Sequence, residues 1–176
     1  MANDRVFSIE AFLVTSLGLL GASAPEHLFD AALNDIASTS PIPIYLPRAI
    51  PDVVDAAQIK YAKGGVVPDG YKVTLYYEMD IGNAGFAGVI AGSTSKVNDN
   101  LLSNPNIVKV KLSNGSPAWF RPVSCGGSCA PANLWWNIGN HGYQIQLKMR
   151  SDLPQQTQLK SMIQMADSVQ LEPHAG

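Results

Sequence analysis

The segment YKVTLYYE at residues 71–78 decides the fold class, because polar and apolar residues alternate along it and strand-forming types dominate it. The same period of two recurs in segments 86–91, 107–112, 118–123, 133–138 and 143–149. Short turn sequences separate some of these segments, such as SNGS at 113–116 and GNHG at 139–142. Strands joined by short turns pair antiparallel with their neighbours, so an antiparallel sheet is predicted.

Helical periodicity flanks this run of strands on both sides. Before it, a predicted amphipathic helix at residues 27–37 presents an apolar face of Leu28, Ala31, Ala32 and Ile36, with Phe29 and Leu33 beside it. After it, a predicted helix carries one apolar stripe of Leu159, Met162, Ile163, Ala166 and Val169. PIPIYLP at 41–47 favours an extended or edge strand, since proline cannot continue a helix. We therefore predict the α+β class: a curved antiparallel sheet of about five to seven strands with an N-terminal and a C-terminal helix packed on it.

The N-terminal residues 11–24, AFLVTSLGLLGASA, contain no charge and have the length of a signal-peptide hydrophobic region. They are too short to cross a bilayer, which needs about 20 apolar residues, so no transmembrane span is expected. The preceding residues include Asp4 and Glu10, so the alternative is an apolar helix that belongs to the fold. We predict a signal peptide or N-terminal apolar helix at 1–24, a single α+β domain at 25–176, and a periplasmic or extracellular location.

Composition narrows the function classes. The chain has 176 residues, a formal charge of −2 and only 15% charged residues, against about 25% in average soluble domains. No run of lysine or arginine occurs, so a nucleic-acid partner is not expected, because such proteins displace counterions with a basic surface. The length suits one domain with a sizeable core.

Cys125 and Cys129 are the two cysteines of the chain, and they flank Gly126, Gly127 and Ser128. Glycine reaches positive φ at little cost, so this segment can fold back and bring the two sulfurs together. A local structural disulfide that holds one turn is predicted. Three alternatives stay open: a redox-active dithiol, a metal site with scattered histidines (His27, His141, His174), and two free thiols.

The segment FRPVSCGGSCAPANLWW at residues 120–136 resembles an uncharacterised family of exported bacterial proteins, as do IPIYLP at 42–47 and IGNAGF at 81–86. The resemblance spans residues 24–171. More loosely, the chain is similar to the extracytoplasmic sensor-type domains of anti-sigma factors and carrier lipoproteins. These resemblances imply binding or sensing, and they supply no catalytic residues.

The candidate binding residues are Arg121, Asn133, Trp135 and Trp136, which lie within sixteen residues of one another around the cysteine turn. Adjacent residues of a strand point to opposite faces, so one indole is expected in the core and the other outside it. An exposed indole beside amides suits a sugar or peptide, and an arginine suits a carboxylate. The alternative is that both indoles are buried and Arg121 ties down a turn.

The sequence contains no recognised catalytic motif, so we expect no enzyme activity, no cofactor and no metal. The predicted function is non-catalytic binding or scaffolding in the cell envelope, with a peptide, glycan or lipid-like ligand. A thiol–disulfide redox protein that uses Cys125 and Cys129 is the alternative.

Overall fold

A computed structural model describes residues 27–54, 59–79 and 84–173. The predicted signal peptide or apolar helix at 1–24 lies outside these residues, as do His174 and part of the glycine-rich segment that begins at Gly82. Within the described part of the chain, no helix is long and apolar enough to cross a membrane.

The described elements follow one another in the order helix, strands, helix, strand. The helices are α1 (Asp30–Ile36) and α2 (Gln155–Asp167), and a 3-10 helix covers Asp99–Ser103. The strands are β1 (Tyr45–Pro47), β2 (Tyr61–Val67), β3 (Gly70–Tyr76), β4 (Phe86–Ser93), β5 (Val108–Lys111), β6 (Pro117–Arg121), β7 (Ser124–Cys125), β8 (Cys129–Ala130), β9 (Ala132–Ile138), β10 (His141–Leu147) and β11 (Val169–Leu171).

Seven strands form one antiparallel sheet in the order β2-β3-β4-β10-β9-β6-β5. The α+β class and the antiparallel sheet are therefore confirmed, and the number of strands is the upper end of the predicted range. Two smaller sheets pair β1 with β11 and β7 with β8. The pairing of β1 confirms an extended conformation for Tyr45–Pro47 within the proline-rich segment. The curvature of the large sheet stays a prediction.

Four strands were not predicted: β2, β11 and the two-residue strands β7 and β8 that flank the cysteine turn. In β2, Gly64 and Gly65 interrupt the alternation of side chains, which weakens the strand pattern. Gly64 has a packing reason, because a Cβ atom there would collide with the carbonyl oxygen of Ala32 in α1. The strand β11 contains Val169, which the periodicity assigns to the second helix; α2 ends at Asp167 instead, and the chain turns to pair with β1.

The helices also bury slightly different residues from those expected. In α1, Ala32 and Ile36 are buried but Ala31 is exposed. In α2, the buried stripe is Gln158, Ser161, Met162, Met165 and Ala166, whereas Leu159 and Ile163 are half-buried. Gln158 belongs to this stripe because its side chain accepts a hydrogen bond from the Val123 N–H (2.8 Å) and donates one to the Leu153 carbonyl (2.8 Å). These two bonds satisfy a buried amide that a hydropathy pattern counts as solvent-exposed.

The two faces of the large sheet differ in what covers them. The inner face contributes Val73, Ile90, Leu134, Trp136 and Ile145 to the hydrophobic core, together with buried residues of both helices. We define the outer face as the opposite side, which carries Tyr61, Lys63, Lys72, Thr74, Tyr76, Val89, Ala91, Ser93, Lys109, Lys111, Trp119, Arg121, Asn133, Trp135, Asn137, Gln144 and Gln146. None of these residues belongs to the described core cluster.

Candidate functional site

The structure separates the two adjacent indoles. Trp136 is 3% exposed in the core, with its ring centroid 6.1 Å from that of Tyr143. Trp135 is half-buried on the outer face of β9. The prediction that the indoles take opposite faces is confirmed, and Trp135 is the one that solvent reaches.

Three of the four predicted site residues meet on the outer face. Arg121 of β6 lies directly across from Asn133 of β9, and Trp135 lies two residues further along β9. The Arg121 guanidinium is 5.8 Å from the centre of the Trp135 ring, which is within cation–π range. Trp136 is separated from this group because it points to the opposite side of the sheet.

Arg121 is the least satisfied polar side chain of this group. Its Nε atom is buried and has no hydrogen-bond partner within the described residues. No described carboxylate forms an ion pair with it. A guanidinium presents N–H donors in a fixed planar arrangement that matches a carboxylate. Arg121 can therefore donate hydrogen bonds to an anionic group of a ligand.

Asn133 is completely buried, so a ligand cannot contact it directly, and its role in the site is to hold neighbouring side chains. Its Oδ1 accepts hydrogen bonds from Gln144 Nε2 (2.6 Å) and Gln146 Nε2 (3.3 Å), and its Nδ2 donates to the Pro131 carbonyl (3.0 Å). These bonds join β9 to β10 through side chains as well as through the backbone. Asn133 is therefore a positioning residue, which fixes the two glutamines beside Trp135.

Trp135 also borders a depression of about 240 Å³ on the outer face. Its floor includes Ala91 and Gly92, and its rim carries Lys72, Gln144 and Ser93, with Asp69 in the β2–β3 turn. Ser93 Oγ donates a hydrogen bond to Asp69 Oδ2 (2.9 Å). The site therefore has an indole wall, an apolar floor, and charged and polar groups around its rim.

The long connection between β4 and β5 closes one side of this depression. Val97 is held by Asn137, whose side chain accepts from its N–H (2.8 Å) and donates to its carbonyl (2.9 Å). Asp99 accepts hydrogen bonds from Trp119 Nε1 (3.0 Å) and Lys109 Nζ (2.8 Å). These contacts bury Trp119 although it lies on the outer face, so Trp135 is the half-buried indole of that face.

Lys72, Gln144 and the contact between Asn137 and Val97 belong to the site but were not predicted from the sequence. The alternation of β3 and β10 places Lys72 and Gln144 away from the core, and this signal was present in the sequence. What the sequence does not contain is the strand order, which brings β3 and β9 to the two sides of one depression.

The predicted disulfide between Cys125 and Cys129 is confirmed, with a Cα–Cα separation of 4.0 Å. The two cysteines are paired residues of the β7–β8 hairpin, which closes the connection between β6 and β9. The expectation that Gly126 and Gly127 use positive φ to fold the segment back is wrong. Neither residue adopts positive φ, and a Cβ atom on either would meet nothing within 4 Å. Both cysteines are exposed.

A second cavity, of about 570 Å³, opens beside the disulfide and is lined by Cys129, Phe86, Val123, Pro131 and Met149 among others. No cluster of three or more metal-ligating side chains occurs among the residues that the structure describes. His141 has a buried Nδ1 without a hydrogen-bond partner, but no carboxylate among the described residues orients its ring.

The fold and the site together define a class: an α+β domain with a seven-stranded antiparallel sheet, of which one face contributes to the hydrophobic core and the other carries the candidate site. Compared with protein-family models, curated proteins and solved structures, the chain shows no significant match.

Proposed function

We propose that this chain is an exported, non-catalytic binding domain of the bacterial cell envelope that recognises its ligand on the outer face of the sheet. Trp135 and Arg121 are the contact residues, Asn133 positions the amides beside them, and the Cys125–Cys129 disulfide holds the connection between their strands. A single observation carries the proposal: Trp135 is a half-buried indole between a depression of about 240 Å³ and a guanidinium that forms no ion pair with any described residue.

Two features support export. Disulfides persist in oxidising compartments, such as the periplasm and the extracellular space, and are rare in the cytosol. The uncharged segment at residues 11–24 has the length and the small-residue ending of a signal peptide. We retain the periplasmic or extracellular location on these grounds.

Among peptide, glycan and lipid-like ligands, a glycan suits the site best. An indole beside side-chain amides offers an apolar surface for the C–H face of a sugar ring and hydrogen-bonding groups for its hydroxyls. The amides of Gln144 and Gln146 and the Ser93 hydroxyl lie on the same face as Trp135. These groups already bond to Asn133 and Asp69, but each has further donor or acceptor capacity that a sugar hydroxyl can use and a lipid chain cannot.

Trp135→Ala tests the proposal in a binding screen against soluble oligosaccharides, peptides and short-chain lipids, with Trp fluorescence as the readout. We expect a glycan to change the emission of the native protein, and Trp135→Ala to weaken binding about tenfold or more, as expected for loss of a central aromatic contact. Leu171→Ala is the control, because Leu171 is an exposed apolar residue of β11, outside the large sheet. If no ligand class binds, or if Trp135→Ala binds as well as the control, the proposed site is wrong.

A thiol–disulfide redox protein remains the second candidate, because both sulfurs belong to exposed residues and Cys129 lines the 570 Å³ cavity. In this function, a partner's thiolate attacks one sulfur of the disulfide, the S–S bond breaks, and the other cysteine leaves as a thiolate. Equilibration with glutathione buffers distinguishes the two functions. Reversible reduction near the glutathione potential favours the redox function, and resistance to glutathione favours a structural disulfide.

A further inference from the structure

The charges of the large sheet are segregated by sign, although the chain as a whole is slightly acidic. Of the 12 basic residues in the sequence, five lie in its seven strands: Lys63, Lys72, Lys109, Lys111 and Arg121. None of the 14 acidic residues of the sequence lies in those strands. Although the net charge of the chain is −2, every Lys, Arg, Asp or Glu residue of the seven strands is therefore a Lys or an Arg.

The strand registers place all five cations on the same side. Lys63 and Lys72 lie on the face of Thr74, and Lys109 lies opposite Trp119. Arg121 lies opposite Asn133, and Lys111 follows Lys109 by two residues. Because side chains alternate along a strand, each of the five points to the outer face, away from the core.

Four of these cations have no anionic partner within the described residues: Lys63, Lys72, Lys111 and Arg121. Lys109 is the exception, since it pairs with Asp99 at 2.8 Å. Elsewhere, acidic groups pair with basic residues outside the sheet, such as Glu172 with Arg48 (2.6 Å) and Glu78 with Lys60 (3.7 Å). Asp69, at the rim of the depression, is another acidic group close to the outer face.

The free cations stand at the two sides of an uncharged band. Lys63 and Lys72 lie on β2 and β3, Arg121 and Lys111 lie on β6 and β5, and the strands between them present Trp135 and amides. At about 4.8 Å per strand, Lys72 and Arg121 are about 19 Å apart across the sheet. A ligand that contacts both must be elongated and must carry repeated negative charge.

We propose that the outer face binds an acidic polysaccharide, whose negative groups pair with the cations at the two sides and whose rings lie against Trp135. This inference rests on the proposed function and deepens it by naming the ligand class. Charge complementarity supplies the argument for the anionic groups, and the indole with its neighbouring amides supplies the argument for sugar rings.

The spacing of the cations favours a polysaccharide over a nucleic acid. Double-stranded DNA carries one charge per about 1.7 Å of its axis, and its binders concentrate lysine and arginine accordingly. Here the free cations are separated by an uncharged band in which Trp135 is the half-buried ring. Tyr61 and Tyr76 share its face but lie on β2 and β3, about 14 Å or more away across the sheet, so the rings do not form a continuous stacking series. A sparse charge pattern matches a polymer with one negative group per sugar or per pair of sugars.

The test is a binding titration of the full chain with polygalacturonate, a carboxylated polysaccharide, and with dextran, a neutral one. Oligo(dT) and phosphatidylglycerol-containing vesicles serve as the other polyanions. We expect polygalacturonate to bind preferentially, and its affinity to fall about tenfold or more between 50 and 300 mM NaCl, because salt screens exposed charges.

The variant Lys72→Gln/Lys111→Gln removes one free cation from each side, and both residues are exposed, so folding should be unaffected. We expect it to weaken polygalacturonate binding about threefold to tenfold, a modest loss because exposed ion pairs are individually weak. Lys60→Gln/Lys160→Gln is the control for net charge: it removes two exposed cations outside the seven strands, one of which pairs with Glu78, and should change affinity less than about twofold. Lys72→Arg/Lys111→Arg should retain binding.

The outcomes separate this inference from the proposed function. Binding of dextran and polygalacturonate with equal, salt-independent affinity overturns the acidic ligand, and the proposed function stands if Trp135→Ala still abolishes that binding. Preference for oligo(dT) or for the vesicles also overturns it, in favour of that polyanion. Failure of all four probes contradicts this inference, and the broader ligand screen with Trp135→Ala then decides the proposed function separately.

Discussion

Tyr71→Phe tests how the proline-rich segment is attached to the sheet. Tyr71 is completely buried, and its hydroxyl donates to the Tyr45 carbonyl (2.9 Å) and accepts from the Tyr45 N–H (2.9 Å). The flanking β1 residues bond to β11 and its neighbours, as in Glu172 N–H to Ile44 O (2.9 Å) and Arg48 N–H to Ser168 O (3.1 Å). The tyrosine hydroxyl therefore takes the place of a strand on the other edge of β1.

The magnitude follows from these two bonds. Replacing Tyr71 with Phe keeps the ring and removes one donor and one acceptor, at about 1 kcal/mol per hydrogen bond. We expect the free energy of unfolding to fall by about 2 kcal/mol, which lowers Tm by about 4–8 °C in a domain of this size. Urea unfolding at pH 7, followed by fluorescence, measures the change. Tyr61→Phe is the control, since Tyr61 is 39% exposed, and it should change stability by less than about 0.5 kcal/mol.

The same pair of proteins makes a second, pH-dependent measurement possible. Burial raises the pKa of Tyr71 above its ordinary value of 10.0, so the native state retains a proton that the unfolded state loses in alkali. Stability from this group is complete below pH 10 and declines as the pH rises above it. At pH 10.5 the native protein should lose about 0.8 kcal/mol through Tyr71, a loss that Tyr71→Phe does not suffer. The difference between the two proteins should therefore shrink; a variant as stable as the native protein at pH 7 would refute the attachment.

Two further predictions concern the glycines and the acid limb of the stability profile. A Cβ atom on Gly92 would lie 2.7 Å from Tyr71 Cε1 and 3.0 Å from Tyr143 Cε1, so Gly92→Ala should lower the free energy of unfolding in urea by about 1–3 kcal/mol. In the control Gly127→Ala, the new Cβ atom meets nothing within 4 Å, and stability should stay within about 0.5 kcal/mol of the native protein. Equal effects of the two substitutions would contradict the packing around Gly92. Hydrogen bonds from Lys109 and Trp119 hold the pKa of Asp99 below its ordinary value. The ionised carboxylate therefore stabilises the native state at pH values above the ordinary pKa, and this stabilisation is lost as the pH falls through the lowered pKa. Asp99→Asn should therefore flatten the decline in Tm between pH 5 and pH 2, and an unchanged decline would argue against these bonds.

Local patterns were sufficient for much of the fold. The alternation at 71–78 and in the later segments predicted six strands of the large sheet, and the spacing of the two cysteines predicted their pairing. The failures have local causes as well. β2 was not predicted because Gly64 and Gly65 have no side chains to continue the alternating pattern. The burial of Gln158 was not predicted because a polar residue is expected at the surface, whereas here hydrogen bonds satisfy its amide in the interior.

The candidate site was also predicted from the sequence only in part. Alternation alone predicted that the adjacent indoles separate, because neighbouring residues of a strand must point to opposite faces. Which indole is buried depended on which face of the sheet contributes to the hydrophobic core. The core cluster contains Trp136 together with residues of both helices, and this leaves Trp135 on the outer face.

Residue patterns along the chain are enough to predict the α+β class, the antiparallel pairing and the local disulfide, and the composition gives the slight net negative charge. The strand order is visible only in the folded chain, and it creates the depression beside Trp135 and brings cations from β2, β3, β5 and β6 to one face. Side-chain alternation is a property of each strand, whereas the neighbours of a strand depend on pairing between distant segments. The charge that appears dispersed along the sequence therefore becomes a cationic surface only when the sheet is assembled.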